Sequence, residues 1–243
     1  QYQILSEEKK QLIFTELGID HYFCLKFDEL LSNLSPVDFI KKIIVDQLKV
    51  EKLIVGYDFR FGKDRKGDTN LLLDHGKIHG FNLETIEQIT NPKTKTPYSS
   101  TDIRECIRTG EIEEANLLLG RPWSIQGKVI HGDKRARKMN FPTANILPHN
   151  EIYPLKGVYA VNIKFGDEVN KGIANFGIRP TVEGEKLLLE AHLFDFDRDI
   201  YGNYLTVEFL AFIRGEKKFE TFDYLVEQIN KDIQIAKDYH LRK

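Results

Sequence analysis

At Gly120-Arg121-Pro122 the pattern of the chain changes, and this change limits the fold more than any other feature. Upstream, short apolar strands alternate with amphipathic helices, which implies a parallel sheet with helices on its faces. Ser6, followed by Glu7 and Glu8, reads as an N-cap with acidic residues at the positive end of a helix. Leu12, Ile13 and Leu17 fall on one face of that helix, and Gly18 stops it. His21 to Phe27 reads as a strand. Ser35-Pro36-Val37-Asp38 is a second start signal, and Ile40, Ile43, Ile44 and Leu48 continue it at helical spacing. Lys52 to Gly56 and Phe81 to Ile89 read as two more strands. Ile112, Ala115, Leu118 and Leu119 form a short helix that Gly120 ends.

Downstream, strand follows strand: Trp123 to Ile130, Gly157 to Phe165, Lys171 to Ile178, Leu187 to Phe196 and Leu205 to Ile213. Such a run, with turn signals between its members, suggests a small antiparallel barrel or sandwich. One helix closes the chain, with Phe222, Leu225, Val226, Ile229, Ile233 and Ala236 on a single stripe. The expected class is therefore α/β plus β, in two domains of residues 1–121 and 122–243. A chain of 243 residues is long enough to bury two such cores without staples.

Charge and cysteine content narrow the function. Lys and Arg total 35 against 37 Asp and Glu, a net −2, which disfavours a nucleic-acid binder that works through a broad basic face. Cys24 and Cys106 form no CxxC pair, so neither a disulfide framework nor a zinc site is indicated, and core thiols in a reducing cytoplasm are expected. The longest apolar runs, such as Phe209 to Ile213, fall far short of the ~20 residues that span a bilayer, so no membrane is expected as a partner. Gln1-Tyr2-Gln3-Ile4-Leu5 has no signal-peptide core, and without an initiator methionine the chain reads as a fragment.

Four segments could carry chemistry. Gly56-Tyr57-Asp58-Phe59-Arg60-Phe61-Gly62 lies where a parallel strand ends, the place where open α/β sheets bind ligands, but also suits a charged surface loop with two buried phenylalanines. Tyr98-Ser99-Ser100-Thr101-Asp102-Ile103-Arg104 could hold phosphate oxygens at a helix start, or be a plain N-cap run. Gly132-Asp133-Lys134-Arg135-Ala136-Arg137-Lys138, followed by Phe141-Pro142-Thr143-Ala144-Asn145, joins a basic loop to oxygen ligands suited to Mg²⁺. It lacks P-loop spacing, and a solvated basic hairpin explains the charges equally well. In Leu187-Leu188-Leu189-Glu190-Ala191-His192-Leu193, alternation puts Leu189 and Ala191 on one face, Glu190 and His192 on the other. Glu190 is then either an exposed ladder residue or a base aimed into a cavity.

Taken in order, these segments resemble the bifunctional bacterial flavokinase/FAD synthetase family. Val55 to Gly62, Ser99 to Arg104, Leu119-Gly120-Arg121-Pro122, Gly132 to Arg135, Phe141 to Asn145, Gly157-Val158-Tyr159, Glu190 to Leu193 and Ile213 to Phe219 match its motifs from one end of the chain to the other. The resemblance implies a partial Rossmann-like FMN adenylyltransferase domain, then a six-stranded antiparallel barrel that phosphorylates riboflavin, with the C-terminal helix packed outside. It implies ATP along the loop carrying Gly132, Asp133, Lys134 and Arg137, Mg²⁺ held by Thr143 and Asn145, and Glu190 as base toward the terminal ribityl hydroxyl of riboflavin. Arg214 and Phe219 would border the flavin. In the first domain Asp58, Phe59, Ser99, Ser100, Thr101 and Arg104 match positions that close over ATP and FMN.

Two departures from the family pattern matter. Ala136 and Asn140 stand where the family loop usually has glycine. No His-x-Gly-His signature, which opens adenylyltransferases of this kind, occurs among these residues. The expectation is an enzyme that makes FMN from riboflavin and ATP, with adenylylation to FAD belonging to a longer parent. The rival readings are a flavin- or nucleotide-binding module without turnover, and a nucleic-acid enzyme that the charge balance argues against.

Overall fold

Local signals set the element boundaries in this computed structural model, which describes residues 3–92, 95–130, 142–148, 152–181 and 184–242. Ser6 caps α1 (Glu7–Glu16) by accepting from the Lys9 amide, and Gly18 follows with φ +75°. Short helices α2 (Glu29–Ser32) and α3 (Pro36–Phe39) come next, and α3 runs on as a wider π-helical stretch, Ile40–Gln47. Then come β1 (Lys52–Gly56), α4 (Thr69–His79), β2 (Asn82–Ile86), α5 (Ser100–Thr109) and α6 (Ile112–Leu119). The remainder is β3 (Trp123–Ile130), β4 (Ala144–Ile146), β5 (Gly157–Phe165), β6 (Glu168–Thr181), β7 (Gly184–Leu193), β8 (Tyr204–Gly215) and α7 (Phe222–Leu241).

The chain gathers into two compact units, residues 20–98 and residues 1–19 with 99–243. In the first, β1 and β2 pair in parallel from Lys52↔Asn82 to Gly56↔Ile86, and Ile40, Ile44, Phe61, Leu72 and Phe81 form its core. The strand expected at His21 to Phe27 does not form: those residues are in no strand and are exposed. A strand needs a neighbour for its N–H and C=O groups, and among the described residues β1 and β2 have only each other. The apolar face expected on α1 is likewise not buried, since Leu12 and Leu17 are both more than half exposed.

In the second unit six strands close into an antiparallel barrel in the order β3-β4-β7-β6-β5-β8, with β8 pairing back onto β3. Period-2 patterning fills it. Trp123, Ile125 and Val129 of β3, Tyr159, Val161 and Ile163 of β5, and Leu205, Val207 and Phe209 of β8 point inward and are buried. Trp123 and Tyr159 meet Phe209 at centroid distances of 4.8 and 5.0 Å. The sixth strand, β4, is the short Ala144-Asn145-Ile146 run that periodicity alone left unassigned. α5 and α6 add Ile103, Ile107, Ile112 and Ala115 to the barrel's core, and Asn116 ties α6 to it by accepting from the Trp123 amide and donating to the Phe209 carbonyl. α7, capped by Thr221, covers the outward Val158, Ala160 and Ile173 with Ala236. No helix among the described residues is long and apolar enough to cross a membrane.

Candidate active site

A groove of about 340 Å³ runs along the barrel beside α7. Thr143, Asn175, Glu190 and His192 line it from the barrel wall, Arg214, Glu216, Lys217 and Phe219 from segment 214–219, and Leu225, Ile229 and Ile233 from α7. Alternation along β7 explains one wall. Leu189 and Ala191 are fully buried in the core, so Glu190 and His192 face outward, where α7 and segment 214–219 turn that outer face into a cleft. The choice between an exposed ladder residue and a carboxylate aimed into a cavity therefore falls to the cavity, and Glu190 is only half-buried.

Strand register assembles the polar centre. Asn145 of β4 and Asn175 of β6 both stand opposite Glu190 of β7, so three strands place two amides and a carboxylate in one row. Asn145 is buried at 4% exposure. The Nδ1 of His192 lies 2.8 Å from the Pro142 carbonyl; that oxygen can only accept, so Nδ1 carries the proton and holds the backbone next to Thr143. One side of the groove is thus oxygen-rich and the α7 side is apolar.

Arg214 is held in a way its sequence position did not reveal. Its Nε donates to both Asp232 oxygens at 3.0 and 2.9 Å, its Nη2 donates to Oδ2 at 2.7 Å, and its Nη1 donates to the Gly215 carbonyl at 2.8 Å. Gln228 gives Asp232 a further bond of 2.8 Å. The guanidinium stands 5.8 Å from the Phe219 ring centroid. Asp232 is 2% exposed, and the signal for it was present in the sequence: a carboxylate set within the apolar stripe between Ile229 and Ala236.

Two glycines explain why segment 214–219 lies where it does. Gly157, at φ +153°, would bring a Cβ to 2.2 Å from the Arg214 carbonyl oxygen, and Gly177 would bring one to 2.3 Å from the Glu216 carboxylate. The Gly157 of the Gly157-Val158-Tyr159 motif is needed for that close approach, Val158 lines the groove, and Tyr159 is buried with its hydroxyl donating to the Leu155 carbonyl.

The structure brings Thr143, Glu190, Arg214 and Phe219 into one groove and sets Asn145 beside Glu190. Gly132, Asp133, Lys134 and Arg137 lie outside the described residues. Asp58 and Phe59 belong to the unit of residues 20–98, where Phe59 stacks on the buried Phe61 at 5.6 Å and is itself partly exposed. Of the two phenylalanines, only Phe61 is buried. Ser99, Ser100, Thr101 and Arg104 belong to the other unit. Ser99 is an N-cap that accepts from the Thr101 amide, and Arg104 bonds the carbonyl and hydroxyl of Ser100 one turn back.

Comparison with known proteins gives matches along the chain. The riboflavin kinase family profile matches residues 119–240, and the FAD synthetase profile matches residues 1–102. A Haemophilus influenzae protein named bifunctional riboflavin kinase/FMN adenylyltransferase is 41% identical over 222 residues, covering 91% of this chain and 71% of its own length. An Escherichia coli K12 protein of the same name is 37% identical over 232 residues, covering 95% and 74%. A solved structure described as a macrolide-efflux protein from Streptococcus pneumoniae superposes with a TM-score of 0.85 at 28% identity, over 96% of this chain and 75% of that one.

Proposed function

Since this chain belongs to the bifunctional riboflavin kinase/FMN adenylyltransferase family of FAD biosynthesis, we propose that its groove beside α7 is where riboflavin is phosphorylated to FMN. The division of labour we assign is kinase chemistry to residues 122–243 and adenylyltransferase chemistry to residues 1–121. One observation carries the kinase assignment: Thr143, Glu190, Arg214 and Phe219, drawn from three separate segments of sequence, line a single cleft.

Phosphoryl transfer asks a protein mainly for positioning, charge neutralisation and one group to orient the nucleophile. In this reading the Glu190 carboxylate accepts the proton of the terminal ribityl hydroxyl. The freed oxygen forms a bond to the γ-phosphorus of ATP, the bond to the β–γ bridging oxygen breaks, and ADP leaves. Asn145 and Asn175 flank Glu190 and fix its row. The apolar α7 wall and Phe219 suit the planar isoalloxazine. Lys134 and Arg137 are proposed as charge partners of the ATP phosphates, beside Gly132 and Asp133.

The donor set fits Mg²⁺. A threonine hydroxyl, an asparagine carbonyl and a neighbouring carboxylate are all hard oxygens. Among the described residues no group of three His, Cys, Asp or Glu side chains forms a preformed cage, so Thr143 and Asn145 would hold the ion jointly with substrate phosphates. When bound, Mg²⁺ supplies charge neutralisation across the phosphates. The near-balance of acidic and basic residues supports small-molecule substrates over nucleic acid, and the need for ATP together with two unpaired thiols supports a cytoplasmic setting.

Glu190→Gln tests the reading. It keeps the shape of the row and should keep riboflavin and ATP binding, while turnover falls by the ~10²–10⁴-fold typical of lost general-base help. Near-normal turnover with riboflavin and ATP would reduce Glu190 to a half-buried ladder residue.

A further inference from the structure

The buried carboxylate of Asp232 has no place in the phosphoryl-transfer scheme, yet it sits against the groove and takes four hydrogen bonds from two side chains. Three come from Arg214, whose Nη1 donates to the Gly215 carbonyl. A guanidinium committed in this way is a poor partner for a phosphate, because its fork is already filled by a carboxylate. What it can do is fix backbone. Arg214 and Gly215 are the last residues of β8, where segment 214–219 leaves the barrel, and the same guanidinium lies over the Phe219 ring at the segment's far end.

We propose that Asp232 is a positioning residue for riboflavin. Through Arg214 it locks segment 214–219 over β6 and holds Phe219 at the groove wall. The inference rests on reading this groove as the flavin site. The glycine at 177 fits the same account, since the Glu216 carboxylate occupies the space a side chain there would fill, so that side chain lies against the β6 backbone. The lock spans three elements, β8, the segment and α7, whose other groove-facing residues Leu225, Ile229 and Ile233 are all apolar. Losing it should loosen the flavin wall and leave the oxygen-rich side of the groove intact.

The prediction is therefore a split between substrates. Asp232→Asn keeps the shape but removes the charge that draws in the fork, and should raise the KM for riboflavin about tenfold while the KM for ATP and kcat stay within about twofold. Arg214→Lys keeps the charge but not the fork, and should raise the riboflavin KM similarly rather than rescue it. Trp123 is the single tryptophan and is fully buried in the barrel, so its emission reports whether each variant has folded. If Asp232→Asn shifts that emission, Arg214→Lys decides the question. An unchanged riboflavin KM in the folded variant overturns the proposal, and so does an equal rise in both KM values, which would make the pair a general structural tie. Phe219→Ala separates the two levels of the argument. If it leaves the riboflavin KM unchanged, the reading of the groove as the flavin site fails. If it raises that KM while Asp232→Asn does not, only the positioning role fails.

Discussion

The barrel and the α/β unit meet the demands of backbone hydrogen bonding in opposite ways. Every barrel strand has two neighbours, so no edge is left, and the inward residues make a continuous core from Trp123 to Phe209. Among the described residues of the α/β unit, β1 and β2 pair only with each other, and Phe23, Leu25, Phe27 and Leu30 are 65%, 50%, 81% and 82% exposed. A two-stranded sheet is marginal on its own. The contrast teaches how a groove wall is fixed: the barrel sets its own with its strands and one helix, whereas the described residues of the α/β unit have a single two-stranded parallel ladder to position side chains.

The sharpest way to break this contrast is to ask one polypeptide of these 243 residues for both products. Adenylyl transfer needs the α-phosphate held and its developing charge stabilised. The family's His-x-Gly-His segment serves that purpose, and no such segment occurs here. Incubation with riboflavin, ATP and Mg²⁺, followed by chromatography of the flavins, should give FMN and no FAD. Appreciable FAD would show that residues 1–121 hold what the adenylyl site requires without that signature.

What was legible in the sequence follows the same divide. Five barrel strands could be read from period-2 alternation because each has a buried and an outward face, and the Glu190/His192 face followed from the same count. β4 was illegible by periodicity because three residues are too few to show a period. His21 to Phe27 has every local mark of a strand, yet pairing is a tertiary property that local propensity does not contain. Asp232 does not stand out in the sequence because its partner, Arg214, lies on another element, and a pairing across elements leaves no local pattern. The boundary at residue 121 came from a change of pattern, but α5 and α6 pack with the barrel through Ile107, Ile112 and Ala115, contacts no local pattern encodes.

Gly157→Ala tests how closely the barrel depends on a single approach. A Cβ there meets the Arg214 carbonyl at 2.2 Å, at a φ that side chains avoid. The variant should lose about 2–4 kcal/mol, within the range of backbone-strain substitutions. Denaturant unfolding followed by Trp123 emission measures it, and an unaltered midpoint would mean that the β5–β8 contact gives way freely. A smaller effect is expected from Thr143→Val, which keeps the shape and removes one oxygen ligand. The Mg²⁺ concentration for half-maximal kinase rate should rise about tenfold, the equivalent of one contact of about 1.4 kcal/mol. An unchanged Mg²⁺ titration would remove Thr143 from the metal site.

The smallest effect should separate the two units by pH. His240 lies in the last turn of α7, where the helix dipole favours a proton, but burial outweighs this, with Lys171 adding like-charge repulsion, and holds the imidazole below its ordinary 6.5. Phe194 meets its ring edge-on, and Lys237 stands over Phe194. The folded barrel therefore prefers the neutral ring. Its full contribution is present above pH 6.5 and declines as pH falls from there through the lowered folded value. Asp38 in the α/β unit is shifted the same way by different means: the Ser35 hydroxyl first, then Lys42, hold its carboxyl below the ordinary 3.8, so its contribution disappears only in stronger acid. Cooling-reversible thermal unfolding, watched at Trp123 for the barrel, should show a midpoint that drops by less than about 2 °C between pH 7.5 and about 5.5 through His240 alone. The difference between the native chain and His240→Gln isolates that share from other carboxylates. A His240→Gln chain with the same pH response as the native one would mean that the ring titrates freely in solvent, and that the α7 end is not packed on the barrel in the way its contacts with Gly172 and Phe194 require.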